Sequence, residues 1–127
     1  MSHGGLVRIG PDEYARRIKA LLSRGGLSSS LPRRERDRWI LYHAIARRLA
    51  PGEHLSEREV DGRIADFLIG PGHFLEIDRV TLRRALVDEG FVDRDPAGHS
   101  YRPSRRHLRR VAFTDAPGVE AVLGLAP

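Results

Sequence analysis

The sequence has 127 residues, of which 40% are hydrophobic, and its formal net charge is +5. This length fits one ordinary domain, and no apolar run approaches the roughly 18 residues of a membrane helix, so we expect no membrane partner. Because the chain has no cysteine, disulfides and thiolate metal sites are excluded, and the cytoplasm is the expected compartment.

The positive charge invites a polyanionic partner, but two features weaken that argument. The basic residues are 21 arginines and one lysine, a bias that a GC-rich genome produces by itself. The charge is also uneven, since residues 56–102 carry seven basic and ten acidic groups while residues 103–127 carry four basic and two acidic groups. The two ends of the chain therefore favour nucleic acid more than the middle does.

Residues 1–30 are predicted to form a mobile tail through Gly10, a helix near 11–23 and a glycine- and serine-rich linker. The helix begins with Pro11 and two acids, which suit the first turn of a helix. Its apolar residues recur at helical spacing. They are Tyr14, Ile18, Leu21 and Leu22. This stripe packs either on the core or on a second copy of the chain, so a homodimer through the N-terminal helix is one expectation.

Two further helices are predicted near 33–49 and 56–68. The first keeps an apolar face that includes Trp39, Ile45 and Leu49. Its opening charge run, 33–38, alternates basic and acidic residues and serves either as a solvated face or as a phosphate contact. The second helix opens with a capping box, in which a serine and the glutamate three residues later satisfy each other's backbone N–H groups.

The stretch 77–102 predicts a helix near 78–89, a glycine stop and a hairpin across 91–102. Asp78 caps the helix, Gly90 ends it, and the sequence 95–98 is typical of a turn. This order is how a winged helix-turn-helix ends. We therefore expect a mainly α fold with a small β-hairpin, in which a winged helix-turn-helix-like three-helix core spans 31–102 behind an N-terminal helix.

One hydrophobic core is predicted for this domain. Its members are Trp39, Ile45, Leu49, Ile64, Leu82, Leu86 and Phe91. Residues 103–127 are predicted as a basic arm, PSRRHLRR, followed by a weakly structured C-terminal tail. Within that tail, 111–113 is a candidate short strand, and the apolar residues after 118 are a candidate docking segment.

The segment from Leu31 to Arg102 resembles the bacterial domain of unknown function 2087. The resemblance is carried by Leu31-Pro32-Arg33 with Asp37-Arg38, by Pro51-Gly52 followed by Ser56-Glu57-Arg58-Glu59-Val60, and above all by TLRRALVDEGFVDR from Thr81 to Arg94. Members of that family occur alone or appended to helix-turn-helix transcription regulators, and no catalytic activity is established for them. The resemblance thus implies a regulator-associated, winged-helix-like module and supplies no binding residues.

Candidate nucleic-acid contacts lie on three predicted elements. The outward face of the last helix offers groups that bind guanine or phosphate. They are Arg79, Thr81, Arg83 and Arg84. The hairpin adds Arg94 and Arg102, and the basic arm adds Arg105, Arg106, Arg109 and Arg110. The alternatives are a local pair of Arg84 with Asp88 or Glu89, an ordinary soluble hairpin, and an arm that is a solvated tail or an interdomain salt-bridge strip.

The pattern of chemistry-bearing residues does not favour an enzyme. The six histidines show no metal-ligand spacing, and the glycines at 70 and 72 lack the lysine and hydroxyl residue of a phosphate-binding loop. His73, beside Phe74, is the one histidine worth inspecting. We therefore expect no catalytic residues, no metal and no cofactor.

Two functions remain open from the sequence. The first is a DNA-binding transcriptional regulator of the winged-helix type, with double-stranded DNA as its partner. The second is a winged-helix-shaped interaction module that docks on a regulator, a polymerase or a ribosomal partner. The acidic balance of residues 56–102 supports the second, and the basic arm supports the first.

Overall fold

The computed structural model describes residues 5–23 and 30–125. Its elements follow in the order β1 (Val7–Ile9), α1 (Pro11–Leu22), α2 (Glu35–Ala46), α3 (Glu57–Ile69), α4 (Arg79–Asp88), β2 (Val92–Arg94), β3 (Tyr101–Pro103), β4 (Val111–Phe113) and α5 (Val119–Leu123). A 3₁₀ turn, Arg106–Arg109, precedes β4. The expectation of a mainly α fold with a small antiparallel hairpin is confirmed.

The helices begin where the sequence places capping groups. The Ser56 hydroxyl accepts from the backbone N–H of Glu59, whose carboxylate accepts from the backbone N–H of Ser56. The Asp78 carboxylate accepts from the N–H groups of Val80 and Thr81 at the start of α4. These bonds satisfy donors that a helix start leaves without partners, so the predicted starts of α3 and α4 agree with the structure to within a residue.

The hairpin is joined by a residue that lies before α3. Strands β2 and β3 pair antiparallel, with Val92 opposite Pro103 and Arg94 opposite Tyr101. Leu55 and Tyr101 exchange two backbone hydrogen bonds, 2.8 and 2.7 Å between nitrogen and oxygen. The connection from α2 to α3 is thereby tied to the hairpin, which fixes α3 and the hairpin relative to each other.

Residues 7–9 pair with residues 111–113, so the predictions of a mobile tail through Gly10 and a weakly structured C-terminal tail were wrong for the residues that the structure describes. Residues 1–4 of the predicted tail lie outside the described residues. The candidate strand at 111–113 is confirmed. Strand β1 pairs in parallel with β4, with Val7 opposite Val111, and both Ile9 and Val111 are fully buried. Helix α5 buries Val119 and packs near α1. Apolar residues too sparse to show a periodic pattern drive this docking, because each end supplies half of one small sheet.

The apolar stripe of α1 lies in the protein's own core. Tyr14, Ile18 and Leu22 are at most 2% exposed. The stripe that suggested a homodimer is thus covered by residues of the same chain. Most of the predicted linker, 24–29, lies outside the described residues.

The predicted core is confirmed, since all seven of its members are buried. Helix α2 runs through the middle of this core, with four consecutive buried residues, 39–42. Tyr42 packs edge-on against Phe91, which joins α2 to the start of the hairpin. In the part of the chain that the structure describes, no helix is both long and apolar enough to cross a membrane.

Candidate nucleic-acid interface

Helix α4 turns one face to the core and the other to solvent. Leu82, Ala85 and Leu86 are buried. Arg84 lies on the side of the helix opposite this stripe, and Arg79, one turn before Arg83, borders a surface pocket with α3; both are exposed. Thr81 is exposed in the first turn of the helix. Three of the four predicted contacts on α4 are therefore available to a partner.

Arg83, the fourth predicted contact on α4, is not available, and its placement on the outward face was wrong. One guanidinium nitrogen lies 2.6 Å from the Asp61 carboxylate and another lies 3.5 Å from the Glu57 carboxylate, both on α3. The Arg83 side chain is only 12% exposed. Glu57 also accepts from the Tyr101 hydroxyl at 3.0 Å. Arg83 thus joins α3, α4 and β3 instead of reaching outward.

Arg84 has no ion pair among residues 5–23 and 30–125, so the alternative of a local pair with Asp88 is not realised. Arg84 and Asp88 instead border a cleft of about 240 Å³ between α4 and the hairpin, and Arg94 borders the same cleft from β2. Arg94 is exposed and lies directly opposite Tyr101 in the ladder. The outer face of α4 and one strand of the hairpin therefore bring two arginines together.

Arg102, the second hairpin candidate, lies opposite Asp93 in the ladder and is exposed. Successive side chains of a strand point to opposite faces, so Arg102 and Tyr101 lie on different faces of the hairpin. On the Arg102 side, a surface pocket is bordered by His54, whose Nδ1 lies 3.1 Å from the Ser100 hydroxyl. Arg94 and Arg102 have different partners in the ladder, yet both border this surface pocket.

The basic arm does not extend from the domain, and its prediction as a free arm was wrong for Arg106 and Arg110. Arg106 donates to the Asp93 carboxylate at 2.7 Å and to the carbonyl oxygens of Val87 and Val92. Arg110 donates to the Glu89 carbonyl oxygen, and its guanidinium lies 3.6 Å from the Glu89 carboxylate. These contacts satisfy carbonyls at the end of α4, where positive charge is favourable.

Gly90 allows this segment to approach so closely. Its φ is +82°, and a Cβ there would lie 2.9 Å from both the Arg106 Cβ and the His107 nitrogen. The His107 N–H donates to the Gly90 carbonyl oxygen at 3.0 Å. Arg105 and Arg109 are exposed and have no ion pair within the described chain. Only half of the arm's arginines are thus free.

The arginines of the charge run at the start of α2 also fall into two groups, one engaged within the chain and one exposed. Arg36 pairs with Glu13 on α1 at 3.0 Å, and Arg38 donates to the carbonyl oxygens of Pro32 and Arg33. Arg33 and Arg34 are exposed. The reading as a phosphate contact therefore concerns at most these two residues.

Most acidic residues between 56 and 102 are engaged by the chain itself. Four pair with arginine, and three more accept backbone N–H groups at helix starts or in the hairpin turn. The four are Glu57, Asp61, Glu89 and Asp93, and the three are Glu59, Asp78 and Asp95. Backbone N–H groups do not neutralise a carboxylate, but Arg106 and Arg110 come from outside the segment, so its net charge of −3 becomes −1 once these two paired arginines are counted.

One arginine of the same surface was missed in the sequence. Arg58, in the first turn of α3, is exposed and borders a surface pocket together with Arg79 of α4. Its position beside the start of α4 depends on how the two helices cross, which no local pattern encodes. The rings of His73 and Phe74 lie tilted against each other with 4.1 Å between their centroids, and Nδ1 of His73 lies 2.9 Å from the Gly70 carbonyl oxygen.

No group of three or more histidine, aspartate or glutamate side chains within the described segments could hold a metal ion. What the fold presents is a small, mainly helical domain whose last core helix and hairpin expose arginines. Residues 29–103, more than half of the chain, match the family described as an uncharacterized protein conserved in bacteria, DUF2087. The chain belongs to this family. No curated protein and no solved structure matches it.

Proposed function

We propose that this protein binds double-stranded DNA in the manner of a winged helix-turn-helix protein and acts in bacterial transcription regulation. The observation that carries the proposal is the set of exposed arginines on α4 and the hairpin that have no ion pair within the described chain. They are Arg79, Arg84, Arg94 and Arg102. Arginines whose charge the fold does not use remain free to neutralise phosphates.

The layout of the elements supports this proposal. Helices α2, α3 and α4 are followed by the hairpin, and Leu55 adds a bridge to the hairpin from the connection between α2 and α3. In winged-helix proteins the corresponding last helix enters the major groove. Thr81 and Arg84 would then face base edges, and Arg94 and Arg102 would face phosphates.

A salt titration with matched variants tests the proposal. Binding to random-sequence duplex DNA should weaken as salt rises, because each neutralised phosphate releases counterions and contributes about −0.9 to the log–log slope. Replacing Arg79, Arg84, Arg94 and Arg102 together with glutamine should flatten that slope by up to about 4 units.

The matched control removes the same charge elsewhere. Its four basic residues are exposed, lie outside α4, the hairpin and the charge run of α2, and have no ion pair in the described part of the chain. They are Arg8, Arg16, Lys19 and Arg47. This variant should keep most of the slope. Equal losses in both variants would mean that charge alone, and not this surface, holds the DNA.

A second candidate function rests on an exposed apolar side chain. Ile69, at the end of α3, is 78% exposed. One exposed isoleucine is ordinary on a protein surface, so docking on a protein partner such as a regulator, a polymerase or a ribosomal protein also draws on exposed carboxylates that would repel DNA. They are Asp66, Glu76 and Asp88, which have no ion pair in the described chain. Absence of duplex binding near physiological salt, with Ile69→Asp abolishing association with that partner, would favour this function over DNA binding.

A further inference from the structure

A groove that the proposed DNA surface does not use lies between the end of α2 and the segment that follows β3. Its volume is about 340 Å³. Small-molecule sites begin at about 300 Å³. Its walls are mostly apolar, formed by Ala46 and Leu49 of α2, Pro51 after α2, Phe91 before the hairpin and Pro103 at its end.

The first polar group in the groove is the imidazole of His43. Its Nδ1 lies 2.8 Å from the Tyr14 hydroxyl. Burial raises the pKa of Tyr14, so its hydroxyl keeps its proton and can donate to Nδ1. Burial also lowers the pKa of His43 to about 3, so the ring is neutral. In the tautomer in which Nδ1 accepts from this hydroxyl, the single ring proton lies on Nε2, which is then a donor.

The second polar group is His107, whose Nε2 is an acceptor where Nε2 of His43 is a donor. Its Nδ1 lies 3.0 Å from the Gly90 carbonyl oxygen, which can only accept, so Nδ1 carries the proton. Burial lowers the pKa of His107, and the neutral ring presents Nε2 as an acceptor. In the described chain the one fully buried side-chain nitrogen or oxygen without a partner is Nε1 of Trp39. The Nε2 atoms of His43 and His107 are therefore not sealed in.

Among the described residues that line the groove, Arg47 carries the one formal charge, which is positive. Arg47 is exposed and uses one nitrogen to donate to the Pro117 carbonyl oxygen at 2.7 Å. None of these described lining residues is an aspartate or a glutamate. A ligand that fits must be apolar along the wall and anionic beside Arg47, where the guanidinium forms charge-assisted hydrogen bonds.

We propose that this groove binds a small apolar carboxylic acid in its ionised form. The carboxylate accepts from Arg47 and from Nε2 of His43, and the apolar body lies against Phe91 and Leu49. A hydroxyl or amide on the ligand would have its acceptor in Nε2 of His107.

An occupied groove would touch the segment that closes the end of α4. The Ser104 hydroxyl, at the groove wall, accepts from the backbone N–H of Arg106 at 3.1 Å. Arg106 in turn contacts Asp93 and Val87, at the hairpin and the end of α4. A ligand can thus bias the position of α4 against the hairpin. This regulatory consequence rests on the proposed DNA contact, whereas the site itself does not.

The test uses the full chain with benzoate and hexanoate as probes and with benzamide and hexanamide as their neutral counterparts. Ionic strength is held constant with chloride. Both carboxylates should shift the ring-proton NMR signals of His43 and His107 in a saturable way, and the amides should bind at least about tenfold more weakly, as expected for the loss of a charge-assisted contact.

Two variants and one control locate the site. Arg47→Gln should weaken carboxylate binding by about tenfold or more, because one charged donor is lost. Ala46→Phe should block the groove while it leaves every polar group in place. Arg48→Gln is the control. Arg48 is the neighbour of Arg47 in sequence, but it pairs with Glu120 and does not line the groove.

The proposal is overturned if neither carboxylate binds saturably, if the amides bind equally well, or if Arg47→Gln and Ala46→Phe bind like the parent while remaining folded by circular dichroism. DNA binding is measured separately on the same samples. Carboxylate binding without any DNA binding would leave the groove as a ligand site and would refute the proposed function. DNA binding without carboxylate binding would refute the groove as a ligand site and would leave the proposed function standing.

Discussion

The arginines that α4 carries and the arginines docked at its C-terminal end are used in different ways. On the helix itself, Arg79 and Arg84 meet no acidic partner in the described chain. At its C-terminal end, Arg106 and Arg110 are held by carboxylates and by backbone carbonyl oxygens. Exposure does not separate the two groups, since the side chains of Arg106 and Arg110 are 51% and 46% exposed. What separates them is whether the donors already have acceptors.

This difference explains why a charge count is a poor guide to a binding surface. An arginine that donates to a carboxylate and to two carbonyls must break those bonds before it can contact a phosphate, and each bond to a charged group is worth about 1.5–3 kcal/mol when well formed. For arginines as exposed as these, solvent screening reduces that value. A partner therefore meets the unpaired arginines first.

The largest expected effect tests how closely the segment after β3 docks on α4. Gly90→Ala should destabilise the protein by about 2–4 kcal/mol, since a positive φ penalises any Cβ and the added atom also meets Arg106 and His107. Gly98→Ala is the control, because Gly98 has a φ of +75° with nothing near its Cβ, and it should cost only about 1–2 kcal/mol. Urea unfolding measures both, and equal losses would mean that this docking is loose.

The next effect separates two adjacent arginines of α4. Arg83→Ala should cost about 1.5–3 kcal/mol of stability, because it leaves Asp61 without its partner. Arg84→Ala should change stability by less than about 0.5 kcal/mol and should weaken DNA binding instead. Chemical denaturation and a duplex titration on both variants decide the matter. A stable Arg83→Ala protein would show that the ion pair between α3 and α4 contributes little.

His43 stacks on Phe113 of β4 with 4.0 Å between ring centroids, so a pH series tests whether docking of the C-terminal segment needs a neutral His43. Because the folded protein holds the pKa of His43 at about 3, stability is complete above the ordinary value of 6.5 and falls as the pH drops from there toward 3. Only the unfolded chain takes up the proton in that window, so the loss approaches about 1.4 kcal/mol per pH unit. His107, whose pKa burial also lowers, adds in the same direction.

The measurement is urea unfolding at about pH 7.5 and about pH 5.5. His43→Asn should remove a large part of the difference between the two values, whereas the same substitution at the exposed His99 should not. A parent protein equally stable at both pH values would show that His43 is protonated in the folded state.

The smallest effect concerns the surface ion pair between Asp93 and Arg106. Asp93→Asn should cost only about 0.2–1 kcal/mol, the range for exposed ion pairs. It should also release Arg106 and raise the affinity for duplex DNA at low salt by a few-fold. Unchanged affinity would show that the backbone carbonyls alone hold Arg106 in place.

The elements that the sequence predicted correctly carry local signals. Ser56 and Asp78 cap helix starts through bonds to backbone N–H groups no more than three residues away. Gly90 ends α4, and the spacing of Leu82 and Leu86 indicates a buried stripe. The family assignment likewise rests on contiguous motifs, such as the one from Thr81 to Arg94, and the matched range agrees with the predicted one to within two residues at each end.

The parts that were mispredicted depend on residues far apart in sequence. Arg83 pairs with Asp61 only because α3 and α4 cross where they do, and Arg106 meets Asp93 only after the chain has turned back over Gly90. The strand at Val7–Ile9 has no alternation long enough to recognise, and its partner lies near the other end of the chain. The groove beside His43 is similarly assembled from three separate segments, 43–51, Phe91 and 103–107.

The parallel pairing of Val7 with Val111 also has a kinetic meaning. It closes a loop of about a hundred residues, and the entropic cost of closure grows only with the logarithm of loop length. Such a contact must wait until the helices between its two ends have collapsed, because distant contacts form late. Amide hydrogens of 7–9 and 111–113 should therefore exchange through a partial opening that leaves α2, α3 and α4 protected, so the ends separate before the rest unfolds.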